Sequence, residues 1–176
     1  MNKTAIFNAL KAAHTGLWDT ALAFHSQQMP DGKWSVEQHV RHINKTMGGM
    51  ARFLQTDKGL LEQKFGVSAK PSRTPEEIDR VFAGFFENGA QSPANFIPEE
   101  TRDLSLESEI SSGKQMMEKT SEGLNTWSEE QLDHQLCPHP LLGNFTVREM
   151  LYFSILHAQH HAALITKLLQ GRTSQV

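Results

Sequence analysis

The chain has 176 residues, a formal net charge of −3, 38% hydrophobic residues and 21% charged residues. This composition is typical of a globular protein, and the length predicts one domain spanning residues 1–176. The slightly acidic balance excludes a strongly basic surface for nucleic acid or an anionic membrane, so we expect neither partner. The single cysteine, Cys137, excludes an internal disulfide and any cysteine-rich zinc or iron–sulfur site.

Hydrophobic residues recur at helical spacing in four long segments, which predicts an all-α fold. The first segment covers residues 3–27. The second begins at a capping box, Ser35–Gln38, and continues to Leu54, beyond which Gly59 and Gly66 interrupt the pattern. A long connection follows, and it carries a short helix that begins at residues 74–77 with a proline in its first turn.

The second half of the chain contains the other two long helices. The third covers residues 106–124 and is followed by a short capped turn at residues 128–131. The sequence Cys137–Pro140 predicts a rigid loop. The last helix begins at a second capping box, Thr146–Glu149, and ends at Gly171. No segment shows the alternation typical of strands.

These elements predict a four-helix bundle in up-down-down-up order. The long crossover, with its short helix, lies between helices two and three. A long connection at this point is what a bundle needs when its second and third helices run in the same direction. The short helix is predicted to stop at Asn88–Gly89. The phenylalanines of the crossover are expected either to cover a pocket or to pack as ordinary core, and we favour packing; they are Phe82, Phe85 and Phe86.

Two histidines of the last helix, His157 and His161, are one helical turn apart on its apolar face. With about 100° per residue, Phe153 and Leu164 lie within about 40° of His157. Burying an imidazole without a partner is costly, so a pair in register on an apolar face indicates a metal site. The alternative is two core histidines that bond to neighbouring side chains. Ala158 replaces the glutamate of the H-E-x-x-H motif, so a zincin-type protease is not expected.

The second helix offers two candidates for a third ligand, His39 and His42. Its apolar face is centred closer to His39, but a ligand can also lie at the edge of such a face, so periodicity leaves both open. His14 and His160 are further candidates for residues that contact the ligands or line the pocket, as is whichever of His39 and His42 is not a ligand. His14 is otherwise read as a satisfied core histidine, and the loop pair Cys137 and His139 is a minor alternative as ligands.

Two segments resemble the DinB/YfiT-like family of metal-binding four-helix bundles. Trp34–Ile43, with the sequence WSVEQHVRHI, resembles the start of the family's second helix, and residues 139–161 resemble its final-helix signature. The family's metal ligands match His42, His157 and His161, so the resemblance favours His42 over His39. It also implies a divalent transition metal, and some members are thiol S-transferases that use a low-molecular-weight thiol.

Three histidines leave at least one coordination position open, as in catalytic metal sites. We therefore expect a divalent-metal-dependent enzyme, a hydrolase or a thiol transferase, that acts on a small molecule with zinc or nickel. A low-molecular-weight thiol is the expected cosubstrate in the second case. The alternatives are a metal-dependent binding or stress-response module without turnover, and a bundle whose histidines only pack. A cytoplasmic location and a homodimer complete the expectations.

Overall fold

The computed structural model describes residues 1–87, 92–99 and 105–170, and regular structure in these ranges is mostly helical. The helices are α1 Lys3–Phe24, α2 Val36–Gln55, α3 Lys58–Phe65, α4 Pro75–Glu87, α5 Leu106–Asn125, α6 Glu129–His134 and α7 Val147–Gln170, with a 3₁₀ helix at Ala94–Phe96. Two strands, β1 Leu136–His139 and β2 Gly143–Thr146, form an antiparallel hairpin between α6 and α7. Within the described ranges, no helix combines the length and the apolar character needed to cross a membrane.

Both predicted capping boxes are confirmed. At α2 the backbone N–H of Gln38 donates to Ser35 Oγ (3.2 Å), and the Ser35 N–H donates to Gln38 Oε1 (2.7 Å). At α7 the Glu149 N–H donates to Thr146 Oγ1 (3.2 Å), and the Thr146 N–H donates to Glu149 Oε2 (3.0 Å). These bonds satisfy backbone donors that a helix start otherwise leaves free, so each box fixes where its helix begins. The start of α2 therefore fixes the position of His42 along that helix, and the start of α7 fixes the positions of His157 and His161.

The crossover holds more helix than the sequence predicted. Gly59 was expected to interrupt the pattern, but it lies in the first turn of α3, where Asp57 caps the helix by accepting from Leu60 N–H (3.0 Å). A glycine costs little in this turn, because its conformational freedom matters most in a helix interior. Gly66 ends α3 with a φ of 74°, as expected for a C-terminal glycine. The predicted stop of α4 at Asn88–Gly89 lies outside the described residues.

The prediction of a loop at residues 137–140 and of no strands was wrong. Leu136 pairs with Thr146 and His139 pairs with Gly143, so the segment forms one arm of the hairpin. Strands of four residues are too short to display a convincing alternation of polar and apolar side chains. Pro138 is tolerated because a two-stranded sheet consists only of edge strands. The all-α prediction therefore holds for most of the chain but omits a small sheet.

Helices α2 and α5 pack closely along one side of the molecule. Asn44 Nδ2 donates to the backbone oxygen (2.8 Å) and to Oε2 (3.1 Å) of Glu109, and Arg41 Nε donates to Glu109 Oε1 (3.0 Å). Two glycines of α5 allow the close approach: a Cβ at Gly113 would lie 2.7 Å from Asn44 Oδ1, and one at Gly123 would lie 2.8 Å from Leu54 Cβ. On the other side of the molecule, α1 packs along α7.

Gly113→Ala is expected to destabilise the protein by about 2 kcal/mol, because the methyl group overpacks a site that cannot expand without moving α5. Its added Cβ would also lie 2.9 Å from a ring carbon of Trp18. Urea unfolding followed by circular dichroism measures the change. The matched control is Gly16→Ala in α1, whose Cβ would meet no atom within 4 Å and which should gain about 0.5–1 kcal/mol. Equal effects of the two substitutions would contradict the close packing of α2 on α5.

Candidate metal centre

Three imidazole nitrogens from two helices converge on one point. His42 lies on α2, and His157 and His161 lie one turn apart on α7. His157 Nε2 is 3.1 Å from His42 Nε2 and 3.2 Å from His161 Nε2, and one nitrogen from each ring lies within 4.8 Å of the other two. Among the described residues, no other group of three histidine, cysteine or acidic side chains is this close.

All three rings are held neutral. Burial lowers the pKa of His42, against a hydrogen bond with the Phe96 carbonyl that raises it. Burial also lowers the pKa values of His157 and His161 well below the usual range, and the neighbouring histidines lower them further. Metal ligation requires the neutral imidazole, so this environment favours the form that binds a cation.

The proton positions favour a cation over a set of hydrogen bonds. His42 Nδ1 is 2.9 Å from the Phe96 carbonyl oxygen, which can only accept, so the single proton of this neutral ring is on Nδ1. Its Nε2 is then a lone pair, and one proton on His157 Nε2 would have to serve both His42 and His161. A cation at the shared point accepts all three lone pairs at once. The residues present therefore fit a metal.

Comparison with known families gives one match. A family model described as the DinB superfamily matches residues 8–165, which is most of the chain. The chain belongs to the DinB superfamily. The match includes α2 and the part of α7 up to residue 165, so it covers every histidine of the cluster. No curated protein matches the chain significantly.

His39 supports the cluster of this DinB-superfamily chain from one side. Its Nδ1 is 2.7 Å from His161 Nδ1, so one of the two nitrogens carries the shared proton. If His161 donates, its Nε2 presents a lone pair to the shared point, and His39 carries its own proton on Nε2. That nitrogen is buried without a hydrogen-bond partner among the described residues. Trp34, which lies in the motif at the start of α2, stacks on His161 with ring centres 6.1 Å apart.

The structure places the other two of these candidates, His160 and His14, in different surroundings. His160 is half-buried, lines the large cavity beside the cluster, and has its ring centre 5.6 Å from that of His161. His14 is 1% exposed, with its Nδ1 bonded to the Leu10 carbonyl (2.8 Å). It lines only a separate small void, so the structure does not place it at the cavity.

Cys137 and His139 line the cavity but lie outside the metal-competent group. Burial raises the pKa of the Cys137 thiol to about 12, so this side chain stays protonated and is a poor nucleophile or ligand. His139 Nδ1 accepts the backbone N–H groups of Leu141 (3.2 Å) and Leu142 (3.1 Å), which fixes the ring in the hairpin turn. The sequence predicted a loop here and offered both residues only as a minor alternative as ligands, so their place in the cavity wall was not predicted.

The crossover contributes to the cavity in two ways. The Phe96 carbonyl orients His42, a role that sequence reasoning missed because any residue carries that group. Phe82 is buried and has its ring centre 5.1 Å from that of Phe153, so it packs as core, as favoured from the sequence. Phe85 forms part of the cavity wall. The side chain of Phe86 lies outside the described residues.

Proposed function

We propose that this chain is a divalent-metal-dependent enzyme that acts on a small molecule through His42, His157 and His161. The observation that carries the proposal is the convergence of three neutral imidazoles at the wall of a cavity of about 810 Å³. A cavity of this size is typical of small-molecule sites, and a three-histidine set leaves a coordination position for a ligand. Zinc or nickel is the proposed metal, since imidazole suits both.

The side chains around the cluster have distinct roles in this proposal. The Phe96 carbonyl and His39 orient His42 and His161, so that the ligand nitrogens are positioned before the cation binds. A bound cation would supply Lewis acidity that polarises the reacting group of a substrate. The described lining of the cavity contains no aspartate or glutamate, so proton transfer falls to an imidazole, and His160 is our candidate. His14 is too deeply buried in the separate void for this role.

The two reaction types remain separate versions of the proposal. A hydrolase would use water, and a thiol S-transferase would use a low-molecular-weight thiol as cosubstrate. The thiol would have to come from the cosubstrate, because Cys137 is protonated and buried. One alternative is favoured because the described residues of the lining include no carboxylate: a metal-dependent binding or stress-response module without turnover.

The proposal keeps the remaining expectations from the sequence. They are one domain, a small-molecule substrate, a cytoplasmic location, a homodimer, and no nucleic-acid or membrane partner. It also includes the up-down-down-up order of α1, α2, α5 and α7. Contacts support this order: the start of α1 contacts the start of α7 through Met1 and Arg148, and the start of α2 contacts the start of α5 through Arg41 and Glu109.

Protein purified without chelator is expected to carry about one zinc or nickel ion per chain by elemental analysis. Chelation should abolish turnover in a screen of ester hydrolysis and of thiol conjugation to electrophiles, and returning the metal should restore it. Failure to take up zinc or nickel in a chelator competition would overturn the proposal. Tight metal binding without turnover in either screen would favour the binding module instead.

A further inference from the structure

The walls of the large cavity are mainly apolar and aromatic. The rings of Phe53, Phe85, Phe96 and Phe153 line it, with Met50 and Leu164 between the helices. Side chains of this kind bind the apolar body of an organic molecule by removing its surface from water. At about 810 Å³, the cavity has room for a molecule of drug-like size.

The mainly apolar lining favours an uncharged ligand. Its described residues include no acidic side chain, and Lys33, which is exposed, is their one lysine or arginine. A charged group of either sign that enters the apolar part of this space loses its hydration without gaining a buried partner of opposite charge, which costs affinity. A neutral molecule does not meet this cost.

His139 supplies a hydrogen-bond donor with a fixed tautomer. Its Nδ1 accepts two backbone N–H groups, so Nδ1 carries no proton. Burial lowers the pKa of His139 to about 4, so the neutral ring carries its one proton on Nε2. The described residues offer that nitrogen no hydrogen-bond acceptor, while its ring packs on Phe153 with centres 4.6 Å apart and lines the cavity. A hydrogen-bond acceptor on a bound ligand would satisfy the Nε2–H donor of His139.

We propose that the cavity binds an uncharged, mainly apolar organic molecule, and that His139 Nε2 donates a hydrogen bond to an acceptor on it. This inference names a substrate class and therefore rests on the proposed function. Binding of the molecule, however, uses cavity walls and a hydrogen-bond donor that are present with or without a metal. Metal-free protein in the presence of chelator therefore tests it separately from metal uptake.

The test uses the full chain and the neutral fluorescent probe N-phenyl-1-naphthylamine. The competitors are 4-phenylbutyramide, 4-phenylbutyrate and 4-phenylbutylamine, which share one apolar body and differ in charge. The uncharged amide is expected to displace the probe about tenfold more strongly than the carboxylate or the amine. Equal displacement by the carboxylate or by the amine would overturn the preference for an uncharged ligand.

Gly49→Leu tests the location, because Gly49 lines the cavity and a Cβ there meets no atom within 4 Å. Leucine in this interior position of α2 fills the cavity and favours the helix, so probe binding should be lost while helical content is kept. Gly49→Ala should give an intermediate loss. Gly16→Leu in α1 is the matched control, because Gly16 is exposed with equal space and lies away from the cavity. Wild-type probe binding by Gly49→Leu would place the probe elsewhere and overturn the proposal.

His139→Asn tests the donor. The amide oxygen of asparagine still accepts from the hairpin turn, but its shorter side chain cannot reach the position of Nε2. The affinity for 4-phenylbutyramide should fall about fivefold to tenfold, whereas the probe, which lacks a strong acceptor, should bind as before. An unchanged affinity for 4-phenylbutyramide would overturn the role of His139. None of these outcomes depends on whether the chain takes up zinc.

Discussion

The double substitution of His42→Leu and His161→Gln is expected to abolish stoichiometric metal binding. Two of the three imidazoles are removed, and His157 alone retains no more affinity than an ordinary surface histidine, which corresponds to a loss of at least about 10³-fold. Competition against a chromophoric zinc chelator measures this loss directly. A second readout is thermal: zinc at about 100 times its dissociation constant should stabilise the wild type by about 2.7 kcal/mol and leave the double variant unchanged.

His160→Gln is the matched control, since His160 neighbours His161 on α7 but does not belong to the convergent group. It should keep the metal affinity within a few-fold of wild type. The metal-free double variant should fold normally, because an apolar leucine and a neutral glutamine replace two buried polar rings. If the double variant still bound one zinc per chain, the histidines would be core residues and the metal proposal would be wrong.

Periodicity alone predicted both helices of the cluster but could not choose between His39 and His42. Both side chains are buried, at 3% and 2% exposure, because positions three apart share a helix face. The two residues differ in what they contact on α7. His42 Nε2 faces His157 Nε2 at the shared point, whereas His39 Nδ1 contacts Nδ1 of His161, the ring nitrogen that is not at the shared point. A distinction that depends on the neighbouring helix is not encoded in the period of one segment, so only the family resemblance favoured His42.

Two parts of the site could not be read from the sequence for different reasons. The Phe96 carbonyl acts through backbone, and its position depends on how the crossover returns to α2. The hairpin that carries His139 is formed by pairing between two four-residue strands, and a proline lies at the second-last position of the first. Local propensity weighs against strand there, and tertiary packing of Cys137 and Phe145 into the core overrides it.

Acid is expected to destabilise the metal-free protein strongly between pH 6.5 and pH 4. Burial lowers the pKa values of both His14 and His39 to about 4, from 6.5 in the unfolded chain. Between these values the unfolded chain binds more protons, so the free energy of unfolding is undiminished above pH 6.5 and falls as the pH falls. Each group accounts for about 3 kcal/mol, so the two together remove about 6 kcal/mol. Urea unfolding at a series of pH values in chelator measures this.

His14→Leu isolates one of these contributions, because His14 is buried in α1 and does not belong to the metal-competent group. Below pH 6, the free energy of unfolding of this variant should depend on pH less steeply than that of wild type, and the difference in slope should correspond to about one proton. The control is Leu17→Val, one turn along the same helix and fully buried, which should lower the free energy by a similar amount at every pH and leave the slope intact. If the His14→Leu slope matched that of wild type, the imidazole would already be charged in the folded protein. The burial of His14 against Trp18 and the Leu10 carbonyl would then be wrong.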